Sequence, residues 1–300
     1  MTAKIIDGNA ISRTIREGLK PRVRALAARG VRPGLAAILV GDNPASEVYV
    51  RNKTRACEEA GVHSELHRLA GGCSEAQVIE LIGRLSAERA IHGILLQLPL
   101  PPQLDAERIL QCIDTRKDVD GFSWSNLGAI VAGNPCLVPC TPLGVIAMLE
   151  HEGIPVEGRN AVVIGRSVIV GKPMALLLIS RGATVTVCNS KTRDLREHAA
   201  RADILVAAIG RPRFVDGSMI KPDAVVIDVG INRLPDGTLA GDVDFEAAKQ
   251  KASHITPVPG GVGPMTVTML LCNTVQAAER AGSISAAASP QGALQAQAPR

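Results

Sequence analysis

The sequence has very few aromatic residues: three Phe, one Tyr and one Trp in 300 residues. It also lacks a block of basic residues, because its net charge of +4 comes from Lys and Arg scattered along the chain. Proteins that bind nucleic acids combine basic patches with aromatic side chains on which bases stack. We therefore expect no nucleic acid partner, whereas a modest positive charge suits a small anionic ligand.

Patterns for disulfides, metals and membranes are missing as well. The seven Cys include no CxxC pair, and the six His are scattered along the chain. We expect reduced thiols, a cytoplasmic location and no bound metal. No apolar run approaches the roughly 18 residues of a membrane helix, and the N-terminus lacks the apolar core of a signal peptide, so we expect no membrane association.

The apolar residues, 46% of the chain, are almost all aliphatic, as in parallel strands buried under helices. Aliphatic runs of strand length alternate with helix-like segments, which predicts βαβ units and an α/β fold. The runs are 35–40, 93–98, 161–165, 184–188, 204–209 and 225–229.

These runs predict two lobes, residues 1–142 and 143–264, with a helix over 265–281 that returns to the first lobe. Residues 283–300 are mostly Ala, Gln, Ser and Pro with a single charged side chain. Such a composition cannot bury a core, so we predict a disordered tail.

In the second lobe, a strand ending at Ile164 is followed by Gly165, Gly171 and a helix. A glycine turn at such a junction directs backbone N–H groups at a phosphate. The spacing matches neither GxGxxG nor GxxxxGK[ST], so the motif alone is weak evidence for a nucleotide.

The next strand ends at Cys188, where NAD-specific folds usually place an acidic residue after the strand. This chain continues instead with Asn, Ser190, Lys191, Thr and Arg193. Arg166 and Ser190 suit a 2′-phosphate, which favours NADP over NAD, although a solvated loop explains the same residues.

In the first lobe, Ser46 is the candidate N-cap of a helix through Ala60 that carries Tyr49 and Lys53 four residues apart on one face. The strand over 93–98 delivers Gln97 at its carboxyl end, where ligands bind in open parallel sheets. Lys53 is a candidate general base that Gln97 can hold by a hydrogen bond. The alternative for Lys53 is an ordinary surface lysine, and the alternative for Tyr49 is a residue that caps the core. The segment 118–121 can likewise be only an Asx-type turn.

Seven motifs together resemble the methylenetetrahydrofolate dehydrogenase/cyclohydrolase family, in the same order and from near residue 5 to about 280. The motifs are YVRNK (49–53), GILLQLPLP (93–101), KDVDGF (117–122), PCTP (139–142), GRSVIVGKP (165–173), DVGIN (228–232) and PVPGGVGPMT (257–266).

The resemblance implies a homodimer in which a folate-binding lobe and a Rossmann-like NADP lobe flank a cleft. It implies oxidation of 5,10-methylenetetrahydrofolate with NADP and hydrolysis of the methenyl product to 10-formyltetrahydrofolate. In such an enzyme Lys53 serves chiefly the hydrolysis, Gln97 tunes it, Tyr49 stacks on the folate and Asp120 binds the pterin edge.

The resemblance also assigns residues of the second lobe. The cofactor contacts that it implies are Gly165, Arg166, Ser167, Ser190 and Ile231, and the further substrate contacts are Gly261 and Pro264, in a glycine-rich loop where backbone approaches a ligand closely.

The sequence departs from the family pattern at three positions. Arg55 stands where the family often has a second lysine, and Ser123 and Trp124 replace a common His-Pro.

Two other interpretations stay open: a Rossmann dehydrogenase acting on another small acid, as the second lobe alone suggests, and a non-catalytic nucleotide sensor.

Overall fold

The computed structural model describes residues 2–287, which divide into two compact units. The six-stranded unit comprises residues 2–15 and 127–269, and the three-stranded unit comprises 16–126 and 270–287. The strands are β1 (Lys4–Ile5), β2 (Gly34–Val40), β3 (His63–Leu69), β4 (Gly93–Leu96), β5 (Asn160–Ile164), β6 (Thr184–Cys188), β7 (Ile204–Ala207), β8 (Val225–Asp228), β9 (Asn232–Arg233), β10 (Leu239–Ala240) and β11 (His254–Ile255).

The helices alternate with these strands through most of the chain. They are α1 (Gly8–Ala27), α2 (Pro44–Ala60), α3 (Glu75–Ala87), α4 (Ala106–Leu110), α5 (Trp124–Val131), α6 (Cys140–His151), α7 (Gly171–Ile179), α8 (Leu195–Ala199), α9 (Phe245–Lys249) and α10 (Val262–Ala287), with a short 3-10 helix at Gly217–Met219. No helix within residues 2–287 is long and apolar enough to cross a membrane.

The three-stranded unit contains a parallel sheet in the order β3-β2-β4. Every residue of the central strand β2 is buried, which explains its uninterrupted aliphatic sequence. Its core forms around side chains such as Ile38, Ile82 and Ile94, all fully buried. Strand β3 was not predicted, because its sequence HSELHRL has only two apolar residues, and the strand lies at the edge of the sheet with no fully buried residue.

The six-stranded unit contains a parallel sheet in the order β1-β11-β8-β7-β5-β6. The aliphatic strands β5, β7 and β8 lie inside this sheet and are almost completely buried. The predicted α/β class with parallel sheets is confirmed. A two-stranded antiparallel ribbon, β9 with β10, follows β8.

This division differs from the predicted boundaries at both ends of the first lobe. Residues 2–15 belong to the six-stranded unit, since β1 pairs with β11 through Lys4 and His254, and residues 127–142 belong to it as well. A pairing across about 250 residues of sequence leaves no local signal.

Helix α10 belongs to both units. Its residues 262–269 lie with the six-stranded unit and 270–287 with the three-stranded unit, where Arg22 of α1 donates hydrogen bonds of 2.9 and 2.7 Å to Glu279. The predicted disordered tail was wrong for 283–287, whose backbone continues the helix. Its remainder, 288–300, lies outside the described residues.

Candidate functional site

Lys53 and Gln97 form a hydrogen-bonded pair in the three-stranded unit. Gln97 follows β4 and is held there by its N–H, which donates to the Ile38 carbonyl at 2.9 Å. Its side chain is 8% exposed, accepts from Lys53 Nζ through Oε1 at 3.1 Å and donates from Nε2 to the Leu98 carbonyl at 2.6 Å. A carbonyl can only accept, so this second bond fixes the amide with its oxygen toward the ammonium group. The hydrogen bond predicted from the sequence is present.

Tyr49 lies one helical turn before Lys53 on α2, and 39% of the residue is exposed. The start of this helix differs from the prediction. Asn43 is the cap, because its Oδ1 accepts the Ser46 N–H at 3.2 Å, and Pro44 is the first helical residue, where no N–H is required. Ser46 is therefore a buried residue of the first turn rather than the N-cap.

Cys57 lies one turn after Lys53 on the same helix. Burial raises the pKa of its thiol to about 12, so the thiol is neutral near pH 7. Arg16 of α1 approaches Glu59 at 3.9 Å, and burial lowers the pKa of its guanidinium. No sequence pattern points to Arg16, since nothing local links α1 to α2.

The segment around Asp120 is a turn organised by Asp118. The buried carboxylate of Asp118 accepts the Gly121 N–H at 3.1 Å and the Ser123 N–H at 2.7 Å. It also accepts Asn126 Nδ2 at 3.0 Å. The Asx-type turn considered from the sequence is thus present, and it presents Asp120 as a half-buried residue.

The residues that depart from the family pattern here have local roles. Ser123 Oγ accepts the Asn126 N–H at 3.2 Å, so Ser123 caps α5. The Trp124 N–H donates to Gln111 Oε1 at 2.8 Å, and the residue is 65% exposed. Arg55 is an exposed residue of α2 whose Nε donates to Glu59 at 3.0 Å.

The glycine turn of the six-stranded unit joins β5 to α7. Gly165 has a φ of +130°, and a Cβ there would overlap the carbonyl oxygen of Ala208. A Cβ at Gly171 would overlap the carbonyl oxygen of Gly165. Ser167 Oγ accepts the N–H groups of Val170 and Gly171 at 3.1 and 3.3 Å. The turn therefore has room only for glycine at both positions, as a backbone that cradles a phosphate requires.

Arg166 and Ser190 follow neighbouring strands at the same distance. Ile164 pairs with Cys188 in the β5–β6 ladder, and each proposed residue lies two positions beyond. Both are exposed, as are Lys191 and Arg193. The turn after β6 is closed by the Asn189 N–H, which donates to Thr192 Oγ1 at 2.9 Å. The sheet thus brings the predicted phosphate contacts to one edge.

Ile231 follows β8 at the carboxyl edge of the same sheet and is 43% exposed. A Cβ placed on Gly263 would lie 3.4 Å from Ile231 Cδ1, so Ile231 lies beside the glycine-rich segment. Gly261 in this segment is buried, and a Cβ there would lie 2.5 Å from the Pro257 carbonyl oxygen. The Pro264 carbonyl accepts Thr268 Oγ1 at 3.1 Å within α10.

Two histidines on β3 share one carboxylate. His63 Nε2 lies 2.9 Å from Glu65 Oε1, and His67 Nε2 lies 3.3 Å from Oε2. These hydrogen bonds, chiefly that of His63, lower the pKa of Glu65. Within residues 2–287, no group of three or more His, Cys, Asp or Glu is arranged so that it could hold a metal ion.

A parallel sheet with a tight glycine turn at its carboxyl edge, together with a unit that carries a lysine–glutamine pair, defines a two-unit α/β enzyme that uses a nucleotide cofactor. Residues 6–120 match the catalytic domain of the tetrahydrofolate dehydrogenase/cyclohydrolase family, and residues 139–282 match the NAD(P)-binding domain of that family.

Curated and solved relatives agree with these matches. The bifunctional protein FolD of Dechloromonas aromatica is 60% identical over 280 residues, covering 93% of this chain and 99% of its own. The crystal structure of the Campylobacter jejuni bifunctional FolD enzyme is 46% identical with a TM-score of 0.91, covering 93% of this chain and 99% of its own. The Trypanosoma brucei FolD, solved with NADP and an inhibitor, is 39% identical with a TM-score of 0.89, covering 93% of this chain and 98% of its own.

The chain belongs to the tetrahydrofolate dehydrogenase/cyclohydrolase family. It is a bifunctional enzyme of one-carbon folate metabolism, a methylenetetrahydrofolate dehydrogenase with a nicotinamide cofactor and a methenyltetrahydrofolate cyclohydrolase. The family and the enzyme class predicted from the sequence are confirmed. This family membership excludes the two other interpretations, a non-catalytic sensor and a dehydrogenase of another small acid.

Proposed function

We propose that the hydrolysis depends on Lys53, held by Gln97. The hydrogen bond between Lys53 Nζ and the buried Gln97 Oε1 is the observation that carries this proposal. It holds an ammonium group at the carboxyl edge of a parallel sheet, where ligands bind. In the reaction, water adds to the methenyl carbon and the bond from that carbon to N5 breaks; one proton of the water moves to N5 and the other is released, leaving 10-formyltetrahydrofolate. Lys53 moves protons at the attacked carbon.

Tyr49 and Asp120 are the proposed substrate contacts of this unit. The exposed ring of Tyr49 lies one turn from Lys53, which suits stacking on the flat pterin. The carboxylate of Asp120 suits the donor edge of the aminopyrimidine. Gly261 and Pro264 stay predicted substrate contacts.

NADP is the proposed cofactor, and it accepts the hydride from the methylene carbon of the substrate. Gly165 and Ser167 shape the turn for its diphosphate, and Ile231 lies at the same sheet edge. Arg166 and Ser190 are the proposed 2′-phosphate contacts, because they are exposed at equivalent positions after β5 and β6. The T. brucei relative was solved with NADP, which supports this assignment.

Two variants separate the two activities. Lys53→Met removes the ammonium group without shortening the side chain greatly, so we expect loss of methenyl hydrolysis with NADP binding unchanged. Arg166→Ala combined with Ser190→Ala should raise the KM for NADP and leave the KM for NAD near its wild-type value. Unimpaired hydrolysis in Lys53→Met would contradict the role of Lys53, and equal effects on both cofactors would contradict the 2′-phosphate site.

We also propose a homodimer in the cytoplasm, with folate derivatives as small-molecule partners. Strand β6 is an edge of the six-stranded sheet, with Val187 exposed on it and Ile179 exposed on the preceding helix. Exposed apolar side chains beside a sheet edge are a surface that a second copy can cover. All seven Cys are free thiols, as in a reducing compartment. Sedimentation should give twice the chain mass, and a smaller mass for Val187→Lys; a wild-type monomer would refute the dimer.

A further inference from the structure

Two carboxylates with no role in the proposed site are buried at the carboxyl edge of the six-stranded sheet. Asp228 ends β8 and is 3% exposed, and Asp242 follows β10 and is completely buried. Neither forms an ion pair with a Lys or Arg within residues 2–287. Burying a carboxylate without a cation costs free energy unless hydrogen bonds satisfy its oxygens. The hydrogen-bond donors to Asp228 and Asp242 therefore indicate what the two carboxylates do.

Asp228 is satisfied by backbone N–H groups alone. Its Oδ1 accepts from Gly230 and from Asp242, and its Oδ2 accepts from Val243, each at 2.9 Å. The Asp228 N–H itself donates to Thr256 Oγ1 at 2.7 Å. One carboxylate thus connects the segment after β8 to the segment after β10.

Asp242 extends the connection to a third segment. Its Oδ2 accepts the N–H groups of Ile209 and Gly210, at 2.5 and 2.9 Å. Its Oδ1 accepts the Arg211 N–H and Asn232 Nδ2, both at 2.9 Å. The segments that follow β7 and β8 are therefore joined to one buried residue.

The backbone around the two carboxylates has no room for other side chains. A Cβ on Gly230 would overlap the Asp242 carboxylate, and a Cβ on Gly241 would overlap that of Asp228. Because only glycine fits at these two positions, the close contact between the backbone and the two carboxylates is a fixed part of the fold.

Ile231 lies between two residues that the carboxylates hold. The N–H of Gly230 is bonded to Asp228, and the side chain of Asn232 is bonded to Asp242. The exposed Ile231 therefore has, on each side, a neighbour that a hydrogen bond to one of the two carboxylates holds in place. Loops at this edge of such a sheet form the nucleotide site.

We propose that Asp228 and Asp242 are positioning residues of the dehydrogenase, which hold Ile231 and the segment 208–211 in the conformation that receives the nicotinamide cofactor. They act through backbone N–H groups and touch neither substrate nor cofactor. This inference rests on the proposed placement of the cofactor at the carboxyl edge of the sheet.

The test compares Asp242→Asn with Asp236→Asn. The first replaces one oxygen by an NH₂ group that faces N–H donors. The second makes the same change in the exposed turn between β9 and β10, where Asp236 accepts from the N–H and the hydroxyl of Thr238. The NADP dissociation constant and the KM for NADP should rise at least about tenfold in Asp242→Asn and stay near wild type in Asp236→Asn. Nucleotide-free hydrolysis of the methenyl substrate should stay within about twofold, since Lys53 and Gln97 belong to the other unit.

Asn232→Ala is the second variant, because it removes one donor to Asp242 and leaves the carboxylate in place. We expect a smaller rise in the same two constants. A merely structural role would lower both activities in proportion to the folded fraction, and that result would overturn the proposal. Equal NADP constants in all folded variants would also overturn it. A wild-type enzyme that fails to bind NADP would instead contradict the proposed cofactor.

Discussion

Replacing Gln97 tests whether Lys53 acts alone or as part of a pair. In Gln97→Leu the side chain keeps much of its volume, so the buried space stays filled, but the acceptor for Lys53 Nζ is lost. A hydrogen bond to a charged group contributes about 1.5–3 kcal/mol, which corresponds to a roughly ten- to hundredfold loss in rate if the bond persists in the transition state. We expect kcat/KM for methenyl hydrolysis to fall by that factor.

The decisive comparison is a double-mutant cycle with Lys53→Met. If Gln97 acts only through Lys53, the double variant hydrolyses the methenyl substrate as slowly as Lys53→Met alone, because the second change has nothing left to remove. Gln103→Leu serves as the control, since Gln103 is exposed in the same unit and donates to the Gly71 carbonyl at 2.5 Å. Losses that multiply in the double variant, or a fully active Gln97→Leu, would refute the reasoning.

Three further predictions concern the glycines and a buried carboxyl group. Gly165→Ala, whose Cβ would overlap the Ala208 carbonyl oxygen, should weaken NADP binding at least about tenfold in a direct titration and spare hydrolysis. Gly83→Ala, in the middle of α3 with open space around it, should raise the free energy of unfolding by roughly 0.5–1 kcal/mol in urea. Burial raises the pKa of Asp228 to about 6, with the charge of Asp242 adding to the rise, so the folded protein binds this proton more tightly than the unfolded chain. The stability of the wild type relative to Asp228→Asn should therefore fall by about 2 kcal/mol as the pH rises from about 4 to 7, and a constant difference would contradict this.

The fold was predictable where strands are buried on both faces. Strands β2 and β8 are continuous aliphatic runs because both faces of a parallel sheet are covered, and such runs stand out in a sequence. Strand β3 was missed because most of its residues are polar, among them Glu65 and His67, and none of them is fully buried. Strand β1 was missed because two residues pair with a strand almost the whole chain away.

The candidate site also has one part that was predictable from the sequence and one part that was not. Helical spacing predicted that Tyr49 and Lys53 share a face, and the position of Gln97 after a strand predicted its hydrogen bond to Lys53. The network of Asp228 and Asp242 had no such signal, although the motif DVGIN had been noted. Its donors come from three separate loops, and only the folded sheet brings those loops together.

The most direct test of the account is a spectrophotometric assay of the purified protein with NADP and 5,10-methylenetetrahydrofolate, alongside methenyltetrahydrofolate supplied without cofactor. The account predicts NADPH formation in the first reaction and hydrolysis to 10-formyltetrahydrofolate in the second. Hydrolysis without NADPH formation would contradict the cofactor site around Arg166 and Ser190, and the absence of both reactions would contradict the bifunctional enzyme itself.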